Sequence, residues 1–250
     1  MNLLLDIGNS RVKWALAQGE RLVETGVIRR EDSPSWTDRL PRDSIDGLFV
    51  ASVAHDSALE ALAMHARTLG VPLQTIKTAP RFGDLINGYH EPEKLGVDRW
   101  MACIAARAQT AGSALVADVG TALTLDWIGA DGQHGGGLIT PGIGSMRAAL
   151  RATTQLRPEH LPAIDTWLTQ DTASAIAAGT LRSVIALLDG AAAELAPDTL
   201  LITGGEAHWV IDRLAADWMF RPQLVIEGLA RAAAQSQRDC GSSQIASSTG

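Results

Sequence analysis

The sequence predicts an α/β protein made of two related lobes, and three observations carry that prediction. Short apolar runs of strand length alternate with amphipathic helical stretches. The run Leu3-Leu4-Leu5 ends in Asp6-Ile7-Gly8, and the run Ala114-Leu115-Val116-Ala117 ends the same way in Asp118-Val119-Gly120. Each Asp-x-Gly is followed by a small polar residue, Ser10 or Thr121, and then by a second strand, so each lobe opens on a β-hairpin. A match at such long range indicates two copies of one unit.

In chain order, residues 11–17 read as the outgoing strand of the first hairpin, with Gly19-Glu20 as the next turn. Leu48-Phe49-Val50-Ala51-Ser52-Val53 is another buried strand, and after Asp56-Ser57 an amphipathic helix over 58–69 stops at Gly70. Residues 98–110 read as a helix with Asp98 as its acidic N-cap, broken by Ala111-Gly112-Ser113. That break bounds a first lobe of residues 1–112 and a second of 113–235. Thr25-Gly26-Val27-Ile28 in the first is answered by Gly136-Gly137-Leu138-Ile139 in the second. An Ala-rich helix over 172–188, a strand Leu200-Leu201-Ile202-Thr203 meeting Gly204-Gly205, and a closing helix over 224–234 complete the pattern. Residues 236–250 are Ser-rich, without periodicity, and are expected to form a mobile tail.

With 250 residues, 46% hydrophobic and 20% charged, the chain can bury one large core or two modest ones. A formal charge of −7 and no cluster of Lys or Arg argue against a nucleic-acid partner, so an anionic ligand must be held by local groups. Cys103 and Cys240 form neither a disulfide framework nor a metal-ligand spacing, which points to a reducing compartment. Asp6 interrupts the opening apolar run before a signal-peptide core could form, and no uninterrupted apolar run reaches 18 residues. A cytoplasmic protein without a membrane partner is expected.

The chemistry concentrates in the hairpin turns. In Asp6-Ile7-Gly8-Asn9-Ser10-Arg11-Val12-Lys13 the glycine lets backbone N–H groups approach an anion, Asn9 and Ser10 add donors, and Lys13 adds charge. Alone, an Asp-x-Gly is a tight turn with an Asx hydrogen bond. Two such turns on related lobes supply the carboxylates that phosphoryl transfer needs for a metal and for an acceptor hydroxyl. Thr203-Gly204-Gly205-Glu206, after a buried strand, offers a flat backbone on which a nucleoside can lie, or is an ordinary strand-to-helix loop. Gly142-Ile143-Gly144-Ser145 ahead of a helix could aim N–H groups at an anion, and is explained equally well as a loop-to-helix junction. His55, His65, His134, His160 and His208 have no metal-ligand spacing and are assigned to loops or helix surfaces; His90 stands out only as a neighbour of Tyr89. The seven tryptophans show no register and are assigned to packing.

Paired Asp-x-Gly hairpins followed by a Thr-Gly-Gly resemble the phosphate and adenosine segments of the acetate and sugar kinase, Hsp70 and actin superfamily. More specifically, Asp6-Ile7-Gly8-Asn9-Ser10, Gly96-Val97-Asp98-Arg99, Asp118-Val119-Gly120-Thr121 and Gly137-Leu138-Ile139-Thr140-Pro141-Gly142 resemble type III pantothenate kinases, in family order. The resemblance implies two ribonuclease-H-like (actin-like ATPase) lobes with an interlobe cleft, a homodimer, and ATP-dependent phosphorylation of pantothenate, the first step of coenzyme A synthesis. It implies that Asp6, Ile7, Gly8, Asn9, Ser10, Arg11, Val12 and Lys13 bind the ATP phosphates, with Asp6 holding Mg²⁺ through water, and that Thr121 contacts the nucleotide. Asp118 is implied at a monovalent-cation site for K⁺ or NH₄⁺. Tyr89, Gly96, Val97, Asp98, Arg99 and Thr172 match pantothenate-binding positions, with Arg99 on the carboxylate and Asp98 as the base. Ser10 stands where threonine is common and Glu206 where aspartate is usual. Two rival readings are a sister kinase of the same fold acting on another small molecule, and a nucleotide-binding regulator.

Overall fold

A computed structural model of the chain describes residues 1–8, 11–29, 36–52, 56–154 and 166–247. It divides into two compact units, residues 1–109 with 223–250, and residues 110–222.

The first unit holds β1 (Asn2–Ile7), β2 (Arg11–Gln18), β3 (Arg21–Arg29), β4 (Gly47–Ser52), α1 (Asp56–Leu69), β5 (Leu73–Thr75), the short β6 (Arg81–Phe82) and β7 (Leu85–Ile86), and α2 (Val97–Arg107). Its main sheet has the order β3-β2-β1-β4-β5, the first three strands antiparallel and β4 and β5 parallel to β1. Strand side chains alternate between faces. Leu3, Leu5, Ile7, Val12, Leu16, Leu48 and Val50 accordingly share one core with Ala58, Leu62 and Ala66 of α1. Leu4, Ala15, Phe49 and Ala51 are buried on the opposite face.

The second unit repeats the plan with β8 (Ala114–Val119), β9 (Ala122–Ile128), β10 (His134–Pro141), α3 (Ile143–Thr153), α4 (Thr172–Leu195), β11 (Thr199–Thr203) and β12 (Met219–Phe220). The sheet order, β10-β9-β8-β11-β12, is the order of the first sheet strand for strand. Leu115, Ala117, Val119, Leu123 and Leu125 pack with Ile143 of α3 and with Val184 and Leu188 of α4. The doubling reaches single contacts. Trp14 of β2 lies so close over Gly26 of β3 that a Cβ there would meet its ring at 2.4 Å, and Trp127 of β9 covers Gly135 of β10 in the same way at 2.6 Å. A side chain at either glycine would displace an indole, so these tryptophans have a register that the sequence did not reveal.

The closing helix departs from expectation. α5 (Leu224–Ser247) belongs to the first unit, not to a lobe of residues 113–235. It packs on α2 and on the sheet face bearing Leu4, and a Cβ on Gly228 would stand 1.8 Å from the Met101 carbonyl oxygen. Its apolar face, Leu229, Ala230 and Ala233, marks it as amphipathic, but periodicity does not say which sheet receives it. α5 also runs on through most of the segment expected to be a tail: Asn2 and Gln237 exchange hydrogen bonds of 3.1 and 3.3 Å, and Gln74 donates to Ser236. Ala, Gln and Arg continue a helix whose nucleus is already paid for upstream.

α4 is long and apolar enough to cross a membrane by length and composition, with a window of mean hydropathy 1.4 of which 33% is buried. Its inward residues, Val184, Leu188 and Ala192, belong to the second unit's core.

Two histidines expected at the surface are buried. On β10, His134 Nε2 stands 2.8 Å from Asp126 Oδ1, both side chains enclosed. On α1, His65 is 7% exposed, and its Nε2 has no hydrogen-bond partner. His55 and His160 lie outside the described residues. Burial lowers the His65 pKa below 6.5, Arg42 lowers it further, and Asp38 opposes. The fold thus favours neutral His65, and its contribution is complete above the unfolded value and lost as pH falls through the folded one. His65→Gln is expected to flatten the decline of stability as pH drops below about 6.5, read from urea midpoints at closely spaced pH values; an unchanged slope would reject this role.

Candidate active site

In the first unit the β1–β2 register sets Asp6 directly opposite Lys13, and Ile7 opposite Val12. Ile7 and Val12 enter the core, so Asp6 and Lys13 stand on the other face, adjacent across the ladder. The Gly8 N–H donates to the Arg11 carbonyl at 3.0 Å and closes the turn. Asn9 and Ser10 lie outside the described residues. A strand-end carboxylate, a lysine and a glycine turn therefore converge on one side of one hairpin, an arrangement suited to a hard metal ion and phosphate oxygens.

A second group gathers at the start of α2. The helix begins at Val97 with Gly96 as N-cap, so Asp98 is inside the first turn and is not the cap; its Oδ1 accepts the Arg99 N–H at 2.8 Å. Gly96 is needed for this, since a Cβ there would come within 2.7 Å of Asp98 Oδ1. Arg99 is 5% exposed and donates from Nη1 to the Tyr89 hydroxyl at 2.8 Å, with its guanidinium 5.8 Å from the ring centroid. Tyr89 is held in turn by Asn87, whose Oδ1 accepts the Tyr89 N–H at 3.0 Å and whose Nδ2 donates to the carbonyls of Ala79 and Pro92. Tyr89, Gly96, Val97, Asp98 and Arg99, the positions grouped by the family resemblance, thus lie together at the start of α2. Asn87, a buried amide that shapes the loop, was not foreseen; its only signal is its place two residues before Tyr89. His90 is exposed.

In the second unit Asp118 occupies the position of Asp6. Its ladder partners are Thr124 on β9 and Thr203 on β11, and all three point away from the core that takes Val119, Leu123 and Ile202. The exposed Thr121 is fixed through its carbonyl, which accepts from the Gly142 N–H at 2.9 Å and the Ser145 hydroxyl at 2.6 Å. The turn touches the start of α3 so closely that a Cβ on Gly142 would meet the Gly120 oxygen at 1.9 Å. The amides at the head of α3 do face an anion, and that anion is internal: Gly144 N–H lies 3.2 and 3.3 Å from the two carboxylate oxygens of Glu206. The Glu206 N–H is anchored on the Val119 carbonyl at 2.8 Å. Glu206 therefore ties α3 to the loop after β11, a use that motif reading did not anticipate. Thr172 is exposed as the first residue of α4 after its N-cap Asp171, and borders an open apolar hollow of about 700 Å³ between α3 and α4 with Met146, Leu150 and Ile176.

Residues 2–194 match the type III pantothenate kinase family. A type III pantothenate kinase of Chromobacterium violaceum is 38% identical over 93% of this chain and 99% of its own, and one of Halorhodospira halophila is 37% identical over 92% and 96%. Among solved structures, a Baf family protein of Campylobacter jejuni superposes with a TM-score of 0.61 at 20% identity, over 94% of this chain and 99% of that one. Component A of the (R)-2-hydroxyglutaryl-CoA dehydratase of Acidaminococcus fermentans gives 0.53 at 14%, over 94% and 96%. The structural likenesses show the fold, two units of actin-like ATPase type.

The Glu206 contact carries its own test. Glu206→Ala removes an anion from a helix N-terminus and leaves its amide without that acceptor, and is expected to cost about 1 kcal/mol in urea unfolding. No change in midpoint would mean that water replaces the carboxylate without loss.

Proposed function

Because this chain belongs to the type III pantothenate kinase family, and so transfers phosphate from ATP to pantothenate in coenzyme A synthesis, we propose that the residues gathered at the two hairpins and at the head of α2 carry that reaction. The observation that carries the assignment is Asp98 beside Arg99 at the start of α2, with Arg99 pinned by Tyr89. The Arg99 guanidinium pairs with the pantothenate carboxylate through its planar N–H donors. Gly96, Val97 and Tyr89 shape the rest of that group in the first unit, and Thr172 of the second unit is a pantothenate-binding position by its match to the family.

Asp98 accepts a hydrogen bond from the primary hydroxyl and aims its oxygen at the γ-phosphorus. As that oxygen bonds to phosphorus, the bond from the γ-phosphorus to the β–γ bridging oxygen breaks. The electron pair leaves with ADP, and the hydroxyl proton passes to Asp98. In a loose transition state the proton moves late, so orientation by Asp98 counts for more than basicity. The segment 6–13 cradles the phosphates through backbone amides and Lys13, and Thr121 contacts the nucleotide. Asp6 would hold Mg²⁺, with Lys13 opposite it placed for the phosphate oxygens, and the ion would supply neutralisation of charge on those oxygens. Asp118, with hydroxyl-bearing neighbours on its face, suits a monovalent cation, K⁺ or NH₄⁺. A cytoplasmic location, where ATP is plentiful, belongs to the same reading.

A homodimer is also part of this reading. Only 33% of the apolar window of α4 is buried within one chain, and a second copy would cover its outer face beside the hollow at Thr172. Sedimentation of the wild type at twice the chain mass, and of Ala175→Glu at the single-chain mass, is expected; a monomeric wild type would refute the dimer.

The enzymatic test is ADP release from ATP and Mg²⁺, with and without pantothenate, in K⁺ or NH₄⁺ against Na⁺. Pantothenate-dependent turnover that needs K⁺ or NH₄⁺ is expected, with kcat reduced at least about 100-fold in Asp98→Asn. Full turnover in Asp98→Asn would remove it as the base, and equal turnover in Na⁺ would remove the cation.

A further inference from the structure

Among the described residues of the second unit, the hydroxyl of Thr203 is one of a few buried polar groups without a hydrogen-bond partner, and it is the one in register with Asp118. The residue is 0% exposed, and its Oγ1 has no hydrogen-bond partner. Buried hydroxyls are bonded as a rule, because desolvating one without a partner is unfavourable. Its position is defined by backbone. β11 runs parallel to β8 with Thr203 in register with Asp118, on the face away from the core. Immediately after it, Gly204 takes φ +103° and passes so near Val119 that a Cβ would meet backbone atoms at 2.3 to 2.5 Å, so the end of β11 cannot drift from the end of β8. Thr203 and Asp118 are therefore cross-strand neighbours on one face of the sheet, with Thr124 on the other flank of Asp118.

The first unit provides an internal control. There the parallel pair β1–β4 sets Ala51 in register with Asp6, as β8–β11 sets Thr203 in register with Asp118. Ala51 is 1% exposed, so the same place in the same sheet order is filled without a polar atom. The fold does not require a hydroxyl at this point, and the carboxylate that lacks one is the Asp6 assigned to hydrated Mg²⁺.

We infer that Thr203 is a ligand of the cation held by Asp118, its hydroxyl oxygen replacing a water of the ion's shell. A weakly hydrated monovalent ion is held by several neutral oxygen dipoles around one charge, and a hydroxyl beside a single carboxylate is such a donor. The inference rests on the proposed cation site at Asp118.

The test compares wild type with Thr203→Val, which keeps the shape and deletes the hydroxyl, and with Thr203→Ser, which keeps it. Thr203→Ala, the residue carried by the first unit, stands in should the valine misfold. Melting temperatures with ATP and Mg²⁺ are measured in K⁺ and in Na⁺ at equal ionic strength, alongside the K⁺ concentration giving half-maximal turnover. Thr203→Val is expected to melt no lower than wild type in Na⁺, since an unbonded hydroxyl has been removed, yet to lose most of the K⁺-specific increase. Its half-maximal K⁺ should rise about tenfold or more, while Thr203→Ser stays within about twofold of wild type. A purely structural hydroxyl would leave the K⁺ increase intact. An unchanged K⁺ increase and half-maximal K⁺ in both Thr203→Val and Thr203→Ala overturns the inference alone. A wild type indifferent to K⁺ overturns the cation site and this inference with it, leaving the roles of Asp98 and Arg99 standing.

Discussion

The register of one antiparallel hairpin in each unit is the constraint from which the rest follows. Asp6 opposite Lys13 and Asp118 opposite Thr124 stand on the polar side of their sheets because Ile7 with Val12, and Val119 with Leu123, fill the core on the other. A slip of one residue would drive a carboxylate into an apolar core and turn a leucine or valine outward. The hydrophobic pattern that stabilises the sheet thereby aims the chemistry.

Around that register, glycines do what no other residue could. Gly142 against Gly120, and Gly204 against Val119, allow backbones to touch where a Cβ would collide, and so bring α3, the end of β11 and the Asp118 turn together. The contacts that then form are polar and specific: Ser145 and Gly142 on the Thr121 carbonyl, Glu206 on the head of α3. A turn held by donors already in place loses little entropy on meeting a ligand, as the nucleotide contact proposed for Thr121 would require. In the first unit Asn87 plays the comparable part for Tyr89, and through it for Arg99.

The two units also show how one architecture is divided between tasks. The sheet order is shared, and so is the tryptophan laid over a glycine of the outer strand. The differences fall at the ladder neighbours of the strand-end carboxylate: lysine and alanine flank Asp6, and two threonines flank Asp118. A positive charge beside one carboxylate and hydroxyls beside the other give the two turns different electrostatic surroundings, which duplication of a unit followed by substitution at a few ladder positions can achieve.

The family resemblance grouped Tyr89 with Gly96, Val97, Asp98 and Arg99, and the sequence by itself determined the two-unit α/β plan, the hairpins with their Asp-x-Gly turns, and most helices and strands. These depend on local periodicity, on glycine at turns and on contiguous motifs, all of which act over a few residues. Only the tertiary structure decided that α5 closes the first unit, that its helix reaches Ser247, that Asp98 lies inside α2 and not at its cap, that His65 and His134 are buried, and that Glu206 binds the head of α3. Three of these turn on a partner distant in the chain: Met101 for Gly228, Asn2 for Gln237, Gly144 for Glu206. Amphipathicity says that a helix has a buried face, but which surface buries it is settled by the packing of the whole unit.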